Sequence, residues 1–245
     1  MFGLTSKGDY IKKGGNPVRQ RRVPDVVINR LPLYLRVLSD IDVEQTPIIS
    51  SYELGEKTGV TPGQIRKDLS LFGVFGKQGV GYEVSILRGE LRRILKLNRV
   101  VNVGLVGVGN LGQAFLHYGA DRQREILNRE GLRMRAAFDT DARKIGQRIA
   151  TVEVYPVARM PELIKELDLT IMILTVPAGV AQEVVDRCIA SGVKAFLNFA
   201  PVKLTVPAGV RVHHADFTLQ LESLAYYSEE WEGNEEKANI ESGTD

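Results

Sequence analysis

Three glycines in the segment 107–112 (GVGNLG) have the G-x-G-x-x-G spacing of a phosphate-binding turn. In this pattern Gly107 allows a tight turn, Gly109 lets the backbone approach a pyrophosphate, and Gly112 lets the next helix pack against the strand. An apolar strand-like run precedes the glycines and a helix-like stretch follows them, which is the context that the motif needs. The segment therefore predicts a dinucleotide site, formed by Gly107, Val108, Gly109, Asn110, Leu111 and Gly112.

A candidate partner for the adenosine ribose lies at the end of the next predicted strand. Asp139 ends the run MRAAFD, 27 positions beyond Gly112, and the excess over the typical spacing of about 20 falls in a polar stretch. A carboxylate there accepts a ribose hydroxyl and repels a 2′-phosphate, which favours NAD(H) over NADP(H). Arg143 and Lys144 are predicted to lie too far along the chain to meet such a phosphate. The alternative is that Asp139 caps a helix beginning near Asp141.

Two further turns, 174–179 (LTVPAG) and 198–201 (NFAP), follow apolar strands. Ligands of parallel sheets bind at the carboxyl ends of the strands, so both turns are predicted to complete the site. Asn198 is predicted to offer its amide to the nicotinamide carboxamide, while Pro177 and Pro201 form apolar walls beside the ring. The candidate residues are Thr175, Val176, Pro177, Asn198, Ala200 and Pro201.

Strands and helices alternate between Val100 and Tyr227. Near-continuous apolar strands such as 169–176 (LTIMILTV) indicate burial on both faces and hence a mostly parallel sheet. Such an alternation predicts a Rossmann domain over residues 100–227. Strands are expected near 100–106, 133–139, 152–155, 169–175, 194–199 and 210–213, with helices over 110–119, 141–150, 158–167 and 178–192.

The preceding segment, 23–99, has mainly helical periodicity and two helix-start signals. Ser50 with Glu53, and Thr61 with Gln64, have capping-box spacing. A glycine-containing turn lies between the two short helices that these residues begin. Two helices joined so tightly predict a helix-turn-helix.

The second of these short helices separates apolar from polar side chains. Ile65, Leu69 and Phe72 recur at helical spacing and are predicted to face the core. A hairpin-like segment, 74–84, follows in the place of the wing of a winged helix. The outward amide, guanidinium, ammonium and hydroxyl groups suit a DNA major groove, although any small helical domain with a solvated charged face is the alternative. The candidate DNA-binding residues are Gln64, Arg66, Lys67, Ser70, Lys77, Gln78 and Tyr82.

Charge is distributed unevenly along the 245 residues. Residues 1–99 contain 17 Lys and Arg against 10 Asp and Glu, whereas residues 100–245 contain 15 against 20. The basic half fits a polyanionic partner such as double-stranded DNA. We expect 1–22 to be a disordered basic arm and 228–245 to be an acidic tail.

Composition and cysteine use favour a cytoplasmic protein without membrane association. No apolar run reaches the ~18 residues of a membrane helix, and the N-terminus lacks the apolar core of a signal peptide. The single cysteine, Cys188, forms no internal disulfide, which fits a reducing compartment. With 44% hydrophobic and 25% charged residues, the chain has the composition of an ordinary globular protein.

The chain offers few groups for dehydrogenase chemistry, which needs an acid–base residue beside the hydride site and a substrate pocket. His117 follows the glycine motif, and His213 and His214 end a predicted strand, so each is more simply explained as a structural or surface residue. Little chain follows Tyr227 to form a substrate domain. The residues therefore favour a DNA-binding protein that reads a dinucleotide over an enzyme that uses it as a hydride carrier.

Seven motifs in the order found here closely resemble the redox-sensing transcriptional repressor Rex family: RLPLYLRVL, QIRKDLSLFG, GKQGVGY, GVGNLGQAFLHY, LTVPA, LNFAP and HHADFTLQLESLAYY. The resemblance covers residues 23–227. It implies a homodimer that binds pseudo-palindromic operator DNA when it is free or bound to NAD⁺. It also implies that NADH releases the repressor from that DNA.

The same resemblance assigns a redox switch to four residues. It implies that Arg36 of the first helix, Tyr118 after the glycine motif and Asp216 before the last helix respond together to the state of the nicotinamide. Phe217 matches an aromatic residue that enters the nicotinamide pocket of the partner subunit. These roles rest on the resemblance alone.

The last helix, about 217–228, is expected from the resemblance to be exchanged between subunits. Phe217, Leu221 and Leu224 recur at helical spacing, which fits this use, although an unswapped core helix has the same pattern. The predicted fold class is therefore α/β. A winged helix-turn-helix domain precedes a Rossmann domain with a mostly parallel sheet and a domain-swapped C-terminal helix.

Overall fold

The computed structural model describes residues 23–73, 76–77, 79–123 and 131–228, without the side chains of 118–123. The predicted basic arm, Gln78 and nearly all of the predicted acidic tail lie outside the described residues. The chain divides into two compact units between Leu95 and Lys96. Among the described residues, no helix is both long and apolar enough to cross a membrane.

The described residues of the first unit form four helices and a small antiparallel sheet, and we call it the winged-helix unit. Its sheet has the strand order β1-β3-β2, in which the hairpin of β2 and β3 forms the wing. In chain order the elements are α1 (Asp25–Ser39), β1 (Ile48–Ile49), α2 (Ser51–Thr58), α3 (Pro62–Ser70), β2 (Gly76–Lys77), β3 (Gly81–Glu83) and α4 (Val84–Ile94).

The helix-turn-helix begins and turns at the residues that the sequence predicted. Ser50 Oγ accepts from Glu53 N, and the Glu53 carboxylate accepts from Ser50 N, so the capping box of α2 is complete. Gly59 ends α2 with φ +71°, a left-handed conformation that favours glycine. Thr61 caps α3 by accepting from Gln64 N, but the Gln64 side chain turns elsewhere and leaves the second box half formed.

A buried carboxylate joins α3 to α1. Asp68 is fully buried, and it accepts two hydrogen bonds from the Arg30 guanidinium, at 2.6 and 2.8 Å. The Tyr34 hydroxyl donates to it at 2.7 Å and Gln64 Nε2 at 2.6 Å. Burial alone would raise the pKa of Asp68, but these donors outweigh it, so the pKa lies below its ordinary value. The carboxylate thereby sets how α3 lies on α1.

The second unit, which we call the Rossmann unit, contains a seven-stranded sheet of order β10-β9-β8-β4-β5-β7-β6. All neighbouring strands are parallel except β6 and β7. Its elements are β4 (Val101–Val106), α5 (Asn110–Gln123), β5 (Leu132–Asp139), β6 (Arg148–Ile149), β7 (Val152–Pro156), α6 (Met160–Glu166), β8 (Leu169–Leu174), α7 (Ala178–Ala190), β9 (Ala195–Asn198), β10 (Arg211–His214) and α8 (217–228).

The helix predicted over 141–150 is wrong, because that segment folds into turns followed by the short strand β6. Gly146 has φ +81°, which a helix interior does not accept, and its N–H bonds to the carbonyl of Val154 at 2.8 Å. The Val154 N–H in turn donates to the Gln147 carbonyl at 2.9 Å. These contacts with β7 hold the turn against the edge of the sheet.

Two features of the Rossmann unit concern reactivity and assembly. Cys188 is buried against Met160, and burial raises the pKa of its thiol to about 12, so the thiol is a poor nucleophile at neutral pH. The apolar residues of α8 face solvent, with Phe217, Leu221 and Leu224 exposed by 68%, 58% and 60%. Within the described part of the chain, the apolar face of α8 is therefore left exposed.

We predict that Asp68→Asn lowers the free energy of unfolding by about 2–4 kcal/mol, because it weakens a buried charge-assisted network. Because the pKa of Asp68 is lower in the folded state than in the unfolded state, its carboxylate stabilises the fold fully above the unfolded pKa near 3.8. This stabilisation is lost as the pH falls through the folded pKa. The variant should therefore lose less stability than the wild type in that acidic window. Urea titrations between about pH 3 and pH 7 measure both effects, and exposed Asp40→Asn serves as the control. An unchanged stability would contradict the anchoring role.

Candidate dinucleotide and nucleic-acid sites

The glycine turn after β4 has the close approaches that a dinucleotide cradle requires. Gly107 has φ +94°, and its N–H donates to the Phe138 carbonyl at 2.8 Å. A Cβ at Gly112 would overlap the Gly107 carbonyl oxygen, so only glycine lets α5 pack this closely. At Gly109, by contrast, no atom of the described residues beyond its two chain neighbours lies within 4 Å of the place that a Cβ would occupy. The open space lies at the glycine that must admit a pyrophosphate, beside the N-terminus of α5.

Thr175, at the end of β8, holds this turn from the other side. Its hydroxyl donates to the Gly107 carbonyl at 2.6 Å and lies 3.1 Å from the Val106 carbonyl. The predicted site residue Thr175 thus supports the cradle. Val176 is half-buried and Pro177 is exposed at the start of α7, on the same carboxyl edge of the sheet.

Asp139 lies at the end of β5, where the sequence predicted it, and it is also tied to the glycine turn. Its Oδ2 accepts from Val108 N at 2.7 Å, and its Oδ1 accepts from Asp141 N at 2.8 Å. Burial would raise the pKa of Asp139, but these backbone donors and the charge of Lys144 hold it below its ordinary value. The carboxylate is therefore ionised at neutral pH and suited to accept a ribose hydroxyl. The alternative of a helix cap is wrong, since no helix begins near Asp141.

Lys144 also lies elsewhere than predicted. Its Nζ is 3.3 Å from Asp139 Oδ2 and 3.9 Å from Asp141 Oδ2. The sequence predicts that Lys144 lies too far along the chain to meet a 2′-phosphate, whereas the turns of 141–147 fold it back onto Asp139. Arg143 instead points outward, is 89% exposed and pairs with Asp141.

Asn198, predicted to face the nicotinamide, serves the fold of its own loop. It is 1% exposed, and its Nδ2 lies within hydrogen-bond distance of the Ala200 and Val202 carbonyls, at 3.1 and 3.0 Å. Its Oδ1 accepts from Ala200 N at 3.0 Å. The predicted carboxamide contact stays a prediction. Asn198 shapes the loop in which Ala200 is buried and Pro201 is exposed at the edge of the sheet.

The candidate nucleic-acid interface consists of α3 and the wing. Arg66, Lys67, Ser70 and Lys77 are exposed, as predicted. The Arg66 guanidinium donates to Ser51 Oγ at 2.7 Å, which holds it beside the start of α2. Between α3 and the wing lies an open cavity of about 560 Å³, lined by Ser50, Ser51, Arg66, Leu69, Ser70, Gly73, Gly76, Lys77, Gly79, Val80, Gly81 and Tyr82.

Two residues predicted to contact DNA lie within the fold. Gln64 is half-buried, and its side-chain amide donates a hydrogen bond to the Asp68 carboxylate, which lies one helical turn further along α3. Tyr82 is 8% exposed, and its ring packs against Gly76, where a Cβ would come within 2.9 Å of it. Both residues therefore position α3 and the wing and do not project from them. Gln78 lies outside the described residues.

The four switch residues are distributed over both units. Arg36 is exposed on α1 of the winged-helix unit. Asp216 accepts from Thr218 N at 2.9 Å and so caps α8, whose first residue is the exposed Phe217. Tyr118 lies on α5, and its side chain is outside the described part of the structure. Their common role stays a prediction.

Sequence reasoning missed the Arg30–Tyr34–Asp68 network and the position of Lys144. A signal for the first was present, since Asp68 interrupts the buried face of α3 between Ile65 and Leu69. No comparable local signal indicates the position of Lys144, which depends on the contacts of its turn with β7.

Comparisons with known proteins agree with this division. A family described as "Putative DNA-binding protein N-terminus" matches residues 22–70, and one described as "CoA binding domain" matches residues 98–202. RSP, a Rex-family repressor, has been solved with β-NAD⁺ and operator DNA; it is 36% identical, with a TM-score of 0.77 over 91% of this chain and 99% of that one. RSP with β-NADH has a TM-score of 0.74 at 36% identity, over 87% of this chain and 98% of that one.

A winged helix followed by a dinucleotide-binding Rossmann unit defines a ligand-responsive DNA-binding regulator. Redox-sensing transcriptional repressors Rex from Brevibacillus brevis and Natranaerobius thermophilus are 40% and 43% identical to this chain. The alignments cover 85% and 87% of this chain and 98% and 94% of those relatives. The chain therefore belongs to the Rex family of redox-sensing transcriptional repressors. The predicted winged helix and mostly parallel Rossmann sheet are confirmed, whereas the exchange of the C-terminal helix stays a prediction. The chain is a regulator and not a dehydrogenase.

We predict opposite consequences for alanine at two glycines of the turn. Gly112→Ala should lower the free energy of unfolding by about 2–3 kcal/mol, because its Cβ overlaps the Gly107 carbonyl. Gly109→Ala should fold with nearly unchanged stability and weaken NADH binding by about tenfold or more, because its methyl group fills the open space of the cradle. Urea denaturation and isothermal titration calorimetry measure the two effects. Equal loss of stability in both variants would count against this reading of the turn.

Proposed function

We propose that this protein is a repressor that binds operator DNA through its winged-helix unit and leaves that DNA when its Rossmann unit binds NADH. The observation that carries the proposal is the open space at Gly109, next to an ionised Asp139, in the same chain as α3 and its wing. The RSP structures with β-NAD⁺ and operator DNA and with β-NADH support it.

On the DNA side, the exposed cations and hydroxyl of α3 supply the contacts. Arg66 and Lys67 offer donors to guanine edges or phosphates in a major groove, and Ser70 offers a hydroxyl. Lys77, on the wing, adds a phosphate contact beside them. Asp68 takes no part in these contacts, but it fixes the helix from which they project.

On the cofactor side, the glycine turn and the N-terminus of α5 would hold the pyrophosphate, and Asp139 would hold the adenosine ribose. The loops around 175–177 and 199–201 would flank the nicotinamide. When bound, the oxidised nicotinamide carries a positive charge that the reduced ring lacks. A ligand shifts a conformational equilibrium only through such a difference in its interaction with the two states.

The proposed response uses the switch residues and a dimer. Arg36, Tyr118 and Asp216 are charged or hydrogen-bonding groups that can rearrange when the ring charge changes. We propose that NADH favours a closed dimer whose two α3 helices no longer match half-sites about one DNA turn apart. The relatives are bacterial proteins, and we place the repressor in the cytoplasm, where operator DNA and the dinucleotide pool are both present.

The uncovered apolar face of α8 supports the homodimer. Phe217, Leu221 and Leu224 lie on one face of the helix and are all more than half exposed. Large exposed apolar residues grouped in this way are typical of an interface. Exchange of α8 between subunits would bury this face and bring Phe217 toward the partner subunit's nicotinamide site.

A gel-shift titration with an operator duplex tests the redox response. We expect NADH to release the duplex at concentrations at which NAD⁺ leaves it bound, because the two ligands differ in ring charge. Arg66→Ala should weaken operator binding by roughly 5- to 100-fold and keep NADH binding, since Arg66 lies in the other unit. Arg93→Ala on α4 is the matched control and should change operator binding much less. Equal effects of NADH and NAD⁺ would disprove redox sensing.

Light scattering after size exclusion tests the dimer. The wild type should elute with about twice the chain mass of 27.2 kDa. The double substitution Leu221→Asp with Leu224→Asp should shift the measured mass toward that of the monomer, because the new charges would have to be buried in the interface. Ser223→Asp places a charge on another face of α8 and should leave the dimer intact. A wild-type monomer at micromolar concentration would refute the homodimer.

A further inference from the structure

A lysine stands beside the carboxylate that is expected to hold the adenosine ribose. Lys144 Nζ lies 3.3 Å from Asp139 Oδ2 and 3.9 Å from Asp141 Oδ2, and its side chain is 28% exposed. The lysine is thus partly enclosed and directed at the cofactor carboxylate. This is an unusual neighbour for a group that selects against a phosphate, because an ammonium attracts a phosphate.

The turn that carries Lys144 holds it in this place. Lys144 N donates to the Asp141 carbonyl at 2.9 Å, and the Lys144 carbonyl accepts from Gln147 N at 3.0 Å. Gly146 and Gln147 then bond to both backbone groups of Val154. The turn is therefore anchored at its start and at its end, and the ammonium is brought to Asp139 by the backbone.

The local charges are balanced only while Asp139 is ionised. Asp139 and Asp141 carry two negative charges, and Arg143 and Lys144 carry two positive ones. Asp139 Oδ2 is shared between Val108 N and Lys144 Nζ, whereas Oδ1 accepts from Asp141 N and, like any carboxylate oxygen, has a second lone pair. Oδ1 therefore keeps an acceptor position for a ribose hydroxyl. Loss of the Asp139 charge would leave one net positive charge at the same place.

We propose that the Asp139–Lys144 pair, and not Asp139 alone, sets the preference between NAD(H) and NADP(H). Lys144 neutralises and orients the carboxylate in the native chain, and it becomes the ligand of a 2′-phosphate once the carboxylate is removed. This inference rests on the proposed binding of NADH. It makes Lys144 a specificity-determining residue that the glycine motif and its acidic partner do not reveal.

Calorimetric titration of purified variants with NADH and NADPH tests the pair. Asp139→Ser removes the charge, opens space and keeps a hydroxyl that can accept from Val108 N. We expect it to bind NADPH at least about tenfold more tightly than the wild type does, since a charge-assisted contact replaces repulsion. Adding Lys144→Met should abolish that gain, whereas adding Arg148→Met, which removes an exposed cation from β6, should keep it.

The outcomes separate the inference from the function on which it rests. If Asp139→Ser with Lys144→Met binds NADPH as tightly as Asp139→Ser, the role of Lys144 is overturned. If the serine variant binds no dinucleotide, the same titrations are made with Asp139→Asn, which keeps the acceptor for Val108 N. Absence of an NADPH gain in both variants also overturns the inference. A wild type that binds neither NADH nor NAD⁺ would instead overturn the proposed function.

Discussion

The hydrogen bond from Val108 N to the Asp139 carboxylate ties together the parts of the Rossmann unit that form its site. One carboxylate holds the glycine turn after β4, the end of β5 and the turn that begins at Asp141. Its lowered pKa follows from these donors and keeps it charged. The group that we propose to accept a ribose hydroxyl is thereby already in place, so cofactor binding would not have to order it.

The winged-helix unit uses the same physical device for another purpose. Asp68 is withdrawn from water and satisfied by Arg30, Tyr34 and Gln64, so that its burial fixes α3 on α1. Buried polar networks of this kind specify one arrangement of the elements around them when every member is satisfied. The exposed cations of α3 thereby keep a defined position on the unit, as the proposed recognition of DNA requires.

Redox sensitivity in this protein belongs to the bound dinucleotide and not to its thiol. Cys188 is buried and has a pKa raised to about 12, so it has very little thiolate to oxidise near neutral pH. The dinucleotide site and the exposed apolar face of α8 lie in the same Rossmann unit. In the proposed homodimer, a change in the ligand would act on the assembly of two chains, and through it on the placement of two α3 helices.

The sequence by itself determined the class of protein, the glycine turn and the order of most elements, but not the segment 141–150, where turns and β6 replace the predicted helix. Helix caps, alternating apolar strands and glycine spacing are local patterns. Such patterns predict where an element begins and ends to within a few residues. Tertiary structure decided the partners of Asp68 and the positions of Lys144 and Asn198. Arg30 and Asp68 are 38 residues apart, and Lys144 reaches Asp139 only because its turn bonds to β7. Such contacts depend on how separate elements pack, which no short stretch of sequence specifies.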